Sequence, residues 1–141
     1  MPAWPHARLA PELKVANIER SLSFYVRVLG FRVLYDRPES RFAYLDREGA
    51  QLMLEEPDAD ASPLAPVADP RALGIHFQIE VSDVQALYER VRASETPVET
   101  DLHDRWYRAI HRLLGNRQFY VADHDGYLLR FFQDLGEKPV E

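Results

Sequence analysis

The feature that most constrains this chain is a repeat. Val15-Ala-Asn17-Ile18 returns sixty-six residues later as Val81-Ser-Asp83-Val84, and each copy reads as a strand end, a capping residue and the opening of an amphipathic helix. A second echo pairs Gly49-Ala-Gln-Leu-Met-Leu54 with Gly126-Tyr-Leu-Leu-Arg-Phe131, both Gly-led apolar strands. A chain written this way folds as two copies of one unit. At 141 residues the copies are half-size repeats sharing a core within one domain, 1–141, rather than two independent folds.

Around each echo the pattern extends to a βαβββ unit. In the first, residues 9–56, a short strand near Leu9–Val15 is interrupted by Pro11, so its pairing begins after the proline or lies at an edge. Asn17 caps a helix with an apolar stripe at Ile18, Leu22, Tyr25 and Leu29, and Gly30 stands where a helix stops. Phe31–Arg37 reads as a strand closed by Pro38-Glu-Ser40, and Arg41–Asp46 with Ala50–Glu55 form a hairpin around Arg47-Glu-Gly49. Residues 57–73 carry prolines among Asp and Ala without periodicity and read as a linker.

The second unit, 74–133, opens on Gly74–Val81, with Ile75, Phe77, Ile79 and Val81 on one face and His76, Gln78 and Glu80 on the other. The helix from Val84 to about Ala93 buries Val84, Leu87, Tyr88 and Val91, and Thr96-Pro-Val98 breaks it. Glu99–Asn116 fits either a helical stripe or strand and loop, and is taken as a long strand-connecting excursion. Arg117–Ala122, the turn Asp123-His-Asp-Gly126 and Leu128–Gln133 make a terminal hairpin.

Composition narrows the chemistry. The chain has no cysteine, so disulfides, thiolate nucleophiles and zinc-thiolate sites are out. No apolar run approaches the roughly 20 residues that span a bilayer, and Met-Pro-Ala-Trp-Pro-His lacks a basic segment followed by an apolar one, so the expected location is cytoplasmic. A net charge of −6 disfavours non-specific nucleic-acid binding and suits a cationic ligand. GxGxxG, P-loop and Gly-x-Ser-x-Gly motifs are absent.

The signature Ser21-x-x-Phe24-Tyr25-x-x-x-Leu29-Gly30-Phe31, followed far downstream by Asp123-x-Asp-Gly126-Tyr-Leu-Leu-Arg-Phe131, resembles the vicinal oxygen chelate superfamily. That superfamily includes glyoxalase I, extradiol dioxygenases, and the fosfomycin and bleomycin resistance proteins. The resemblance implies an α+β fold in which two tandem βαβββ modules form a curled mixed sheet around a cleft. It also implies a homodimer, sometimes with modules exchanged between subunits. Metal-dependent members place one ligand on the first and one on the last strand of each module, which map here to Ala10, Met53, His76 and Arg130. Of these only His76 is an ordinary ligand, since a methyl has no donor, a thioether suits hard cations poorly and a guanidinium stays protonated. The resemblance therefore implies no metal and no cofactor, unless a shift of register brings in Glu12, Gln51 or Glu55.

Several residues are candidates for ligand binding. His76 on the polar face of its strand is either a hydrogen-bonded residue without chemical role or part of a binding surface. Trp106 and Tyr107 either anchor a long loop or offer a stacking surface. Phe42 and Tyr44 share one strand face, which is either the core, the favoured reading, or the cleft; Met53 and Arg130 belong to the cleft through the resemblance. His6, His103, His111 and His124 read as solvated residues at a terminus, in loops or in a turn, and Glu55, Glu56 and Glu80 as a wet strand face rather than an acid/base pair.

Keeping Asp-Gly-Tyr-Leu-Leu-Arg-Phe without the metal set resembles the bleomycin resistance branch. Its members hold a cationic, aromatic, metal-chelating glycopeptide in clefts at the dimer interface without chemistry. The expected function is a non-catalytic small-molecule binder of that kind, with no nucleic-acid or membrane partner. The alternative is a divalent-metal-dependent glyoxalase-like lyase or dioxygenase using His76.

Overall fold

In the computed structural model, which describes residues 6–58 and 74–140, the repeat becomes two four-stranded mixed sheets. Strand β1 (Glu12–Lys14) is followed by α1 (Ile18–Leu22), which runs on as a π-helical turn (Ser23–Val28). Then come β2 (Arg32–Arg37), β3 (Phe42–Arg47) and β4 (Ala50–Glu55), in the spatial order β1-β4-β3-β2. The second module repeats this with β5 (His76–Glu80), α2 (Val84–Ala93), β6 (Val98–Ala109), β7 (Arg112–Ala122) and β8 (Leu128–Pro139), ordered β5-β8-β7-β6. The linker reading falls on residues that lie almost entirely outside those described.

The internal echo has a physical counterpart. The Val15 amide donates to the Glu55 carbonyl and the Val81 amide to the Phe132 carbonyl, both at 2.9 Å. Each closes a parallel pairing in which Glu12 lies opposite Met53, or Gln78 opposite Arg130. Asn17 and Asp83 then cap their helices through side-chain oxygens on Arg20 N and Ala86 N, both at 3.0 Å. The first helix ends differently from an ideal one: Leu29 N reaches back five residues to Phe24 O at 3.0 Å, and Gly30 leaves at φ +82°.

One apolar core serves both modules. Tyr25, Leu29, Phe31, Leu45 and Leu54 of the first cluster with Val84, Leu87, Phe119 and Phe131 of the second, on the helix-packed side of the sheets. Period-two alternation sends Phe42, Tyr44 and Met53, and likewise Gln78, Arg130 and Tyr120, to the opposite sides. Phe42 and Tyr44 are therefore on a cleft face, a correction to the favoured core reading. Their flanking partners Ala43 and Leu45 are the ones in the core.

The excursion expected over 99–116 is instead a long antiparallel hairpin. Asp104 pairs with Arg117, Trp106 with Gly115 and Ala109 with Arg112. The middle strands of the second module are longer than those of the first. The stretch lacks clean alternation because its outer part has no helix to cover it, so polar residues fall on both faces. His103 consequently belongs to a strand and not to a loop.

Candidate functional site

The cleft side of the second sheet is assembled from rows of paired residues. Gln78, Arg130 and Tyr120 form one row; Glu80, Phe132, Gln118 and His103 form the next; Asp134, Asn116 and Arg105 follow. These rows surround a cavity of about 530 Å³ lined by Glu80, Tyr107, Leu114, Arg130, Phe132 and Asp134, with Gln78, Asn116 and Glu137 completing its polar wall. Apolar area is thus supplied by Phe132, Tyr107 and Leu114, and negative charge by Glu80 and Asp134, with Glu137 shared with Arg112 at 3.7 Å.

Under this wall lies a polar network. Gln118, only 1% exposed, donates through Nε2 to the Tyr107 hydroxyl at 2.7 Å and lies 3.3 Å from His103 Nε2. His103 Nδ1 is 2.9 Å from the Asp101 carbonyl oxygen. Among the described residues, Gln118 Oε1 is buried without a hydrogen-bond partner, and so is Arg130 Nε. Arg130 reaches the Tyr120 hydroxyl through a terminal nitrogen at 3.4 Å and lies over the same ring, its guanidinium carbon 5.9 Å from the centre. His76 meets the same Tyr120 ring edge-on, with centroids 5.7 Å apart.

The first sheet has its own cleft face, and part of the chain lies on it. Tyr35 stacks on Tyr44 with centroids 5.2 Å apart, and the Arg37 guanidinium sits 4.0 Å from the Phe42 ring centre. The Tyr44 hydroxyl and the Ala7 amide both donate to Gln51 Oε1 at 2.7 Å, while Gln51 Nε2 donates to Asp46 at 3.0 Å. The His6 ring lies 5.4 Å from that of Tyr44. Phe42 and Tyr44 are 4% and 5% exposed although neither joins the core. Burial, with Tyr35 and Asp46 nearby, raises the Tyr44 hydroxyl pKa.

The sequence candidates are thus distributed. Tyr107 and Arg130 line the 530 Å³ cavity. His76 lines a separate, more apolar space of about 430 Å³ with Phe31, Leu52, Phe77 and Ile79. Phe42, Tyr44 and Met53 lie on the first sheet. Trp106 does not accompany Tyr107: adjacent strand residues point to opposite faces, and its ring lies over Gly115 with Lys138 Nζ 4.1 Å from its centre. Gln78, Glu80, Phe132 and Asp134 were missed as site residues, although Arg130-x-Phe132-x-Asp134 carries the alternation that would have placed them together.

The positions that the resemblance marks for metal do not make a donor set. Arg130 puts a fixed positive charge on the cleft face, Met53 offers a thioether between Glu12 and Tyr44, and Ala10 offers nothing. The register-shifted alternatives are engaged elsewhere: Glu12 and Glu55 with Lys14, and Gln51 with Tyr44, Ala7 and Asp46. Among the described residues no three His, Cys, Asp or Glu side chains converge. These residues do not fit a divalent ion. None of the described helices is long and apolar enough to cross a membrane.

Comparison with known proteins agrees with the fold. The profile described as Glyoxalase/Bleomycin resistance protein/Dioxygenase superfamily matches residues 6–131. The chain is 28% identical over 134 residues to a bleomycin resistance protein of Geobacillus stearothermophilus, spanning 89% of this chain and 95% of the relative. It is 30% identical over 149 aligned positions to a lactoylglutathione lyase of Pseudomonas putida, spanning 86% and 81%. The crystal structure of TioX from Micromonospora sp. ML1 superposes with a TM-score of 0.67 at 27% identity, covering 94% of this chain and 100% of that one. With its two βαβββ modules and a family match across most of its length, the chain belongs to the glyoxalase/bleomycin resistance protein/dioxygenase superfamily.

Proposed function

We propose that the protein is a non-catalytic binder of a cationic, aromatic small molecule, of the bleomycin resistance type, with its cleft completed in a homodimer. The observation that carries this reading is the cleft wall of the second sheet, where Tyr107 and Phe132 stand among Glu80, Asp134 and Glu137. Flat π-surfaces beside carboxylates attract a planar cation both by stacking and by charge. The same wall supplies no metal donor set, which favours sequestration over metal-dependent chemistry. Strands β1 and β5 lie at sheet edges, and pairing with a second copy would cover them.

Calorimetric titration with metal-free bleomycin tests the reading. Binding in the micromolar range or tighter is expected, weakened by about 1–3 kcal/mol in Tyr107→Ala or Phe132→Ala, the scale of aromatic stacking on planar bases. Added salt should slow association more than it speeds dissociation. No heat at about 100 µM drug, where even a weak cleft would be partly filled, would remove bleomycin as ligand. Light scattering should give a dimer mass. Nickel, zinc, iron or manganese near one per chain, lost in His76→Ala, would turn the reading toward a metal-dependent lyase.

A further inference from the structure

Among the described residues that line the 530 Å³ cavity Arg130 is the one cation, and it is not neutralised; Arg105, in the outermost row of the same cleft face, lies over the Tyr107 ring instead of in that lining. Among the described residues no carboxylate lies within ion-pair distance of it, its Nε is buried without a hydrogen-bond partner, and its contacts are a long hydrogen bond to the Tyr120 hydroxyl and the Tyr120 ring face, 5.9 Å from the guanidinium carbon, neither of which is a counter-charge. A partly buried guanidinium left this way has lost water without gaining a counter-charge, which is costly unless something else supplies acceptor oxygens. Its fork of donors suits a carboxylate.

The charges are also ordered. Along β8 the cleft-facing residues are Arg130, Phe132 and Asp134, with Gln78 opposite the first, Glu80 opposite the second and Asn116 opposite the third. Cation, aromatic ring and anion follow one another over roughly 13 Å, four residues at strand rise. Building on the binder reading, we propose that the ligand is zwitterionic: a carboxylate seats on Arg130, an aromatic body lies on Phe132 and Tyr107, and a cationic group reaches Glu80, Asp134 and Glu137. This makes Arg130 a determinant of which cations bind, separating those with a distal carboxylate from those without.

Three probes isolate the charges: 4′-(aminomethyl)biphenyl-4-carboxylate, 4-(aminomethyl)biphenyl and biphenyl-4-carboxylate, each titrated into labelled protein and followed by amide chemical shifts. The zwitterion should bind at least about tenfold more tightly than either singly charged probe, as one charge-assisted hydrogen-bonded contact allows. The shifts should centre on Gln78, Tyr120 and Arg130. In Arg130→Gln the advantage over the cation should fall to within about twofold, one contact having been removed, and Arg130→Lys should restore part of it. Arg130→Gln should melt no lower than the parent, because the charge it removes is unpaired; a lower melting temperature would mark Arg130 as structural and overturn the proposal. So would equal affinity for zwitterion and cation, an advantage that survives Arg130→Gln, or no binding of any probe. Bleomycin titration separates the two readings: a cation without a carboxylate reports on the aromatic and acidic wall alone, so affinity lost in Tyr107→Ala keeps the binder, while the three biphenyl probes decide the carboxylate anchor at Arg130.

Discussion

The Trp106 ring lies flat against Gly115 on the neighbouring strand, so close that a β-carbon on Gly115 would stand 2.6 Å from two of its ring carbons. The contact clasps the outer part of the β6–β7 hairpin on the face away from the cavity. Tyr107, one residue on, turns into the cavity instead.

Gly115→Ala should therefore destabilise the protein by about 1–3 kcal/mol, the usual cost of forcing an extra carbon into a packed contact. The loss should shrink in the Trp106→Ala background, because the clash is between those two groups, and urea denaturation of the double-mutant cycle measures the coupling. Additive effects would show that the ring moves aside freely. Ligand affinity should stay unchanged in Gly115→Ala, since the clasp faces away from the cavity.

At the tip of that hairpin Ile110 has φ +58° and is 77% exposed. A β-branched residue in the left-handed region is strained, by roughly 1–2 kcal/mol. Ile110→Gly should raise stability by about 0.5–1 kcal/mol after the entropy lost by glycine is subtracted. A lower melting temperature would show that the side chain makes a contact outweighing the strain.

Gln51 holds the residues before β1 to the first sheet. Gln51→Leu leaves the Tyr44 hydroxyl, the Ala7 amide and an Asp46 oxygen without that partner, and should cost about 1–3 kcal/mol. Hydrogen exchange at Ala7 should accelerate in the variant. Unchanged protection there would mean that the segment is held by something other than Gln51.

Asp123 sets a pH dependence. Burial raises its carboxyl pKa above the ordinary 3.8, and the hydrogen bonds from Tyr25 and from the Tyr127 and Asp125 amides only partly oppose it. The native state then holds the proton more firmly than the unfolded chain. Its contribution is full below the unfolded pKa and is lost as pH rises through the native one. Asp123→Asn should flatten this fall in denaturation free energy between acid and neutral pH. A parallel curve, displaced but with the same slope, would assign the dependence to other groups. Asp104 works in the opposite sense: its hydrogen bonds from Arg117 lower its pKa, so its small, exposed contribution is present above the unfolded value and fades as pH falls.

How much of this was legible depended on whether a signal was local. The echo of Val15-Ala-Asn17 in Val81-Ser-Asp83 determined both modules, because strand end, cap and helix start are each written in adjacent residues. The Asp123-His-Asp-Gly126 turn and the helix stripes of the core, Tyr25 and Leu29 in one and Val84, Leu87 and Val91 in the other, were legible for the same reason. Alternation also determined that Phe42 and Tyr44 share a face, but it does not say which face meets the helix. Only the packing of α1 and α2 against the opposite side decided that, putting Ala43 and Leu45 inward and the two aromatics toward the cleft. Likewise Trp106 and Tyr107 read as one aromatic pair in sequence, and the pleat of a strand that pairs them with Gly115 and Leu114 sent them apart. The isolation of the Arg130 charge was tertiary too. An ion pair, or the lack of one, depends on where side chains from other strands come to rest, and the sequence carries no trace of that distance.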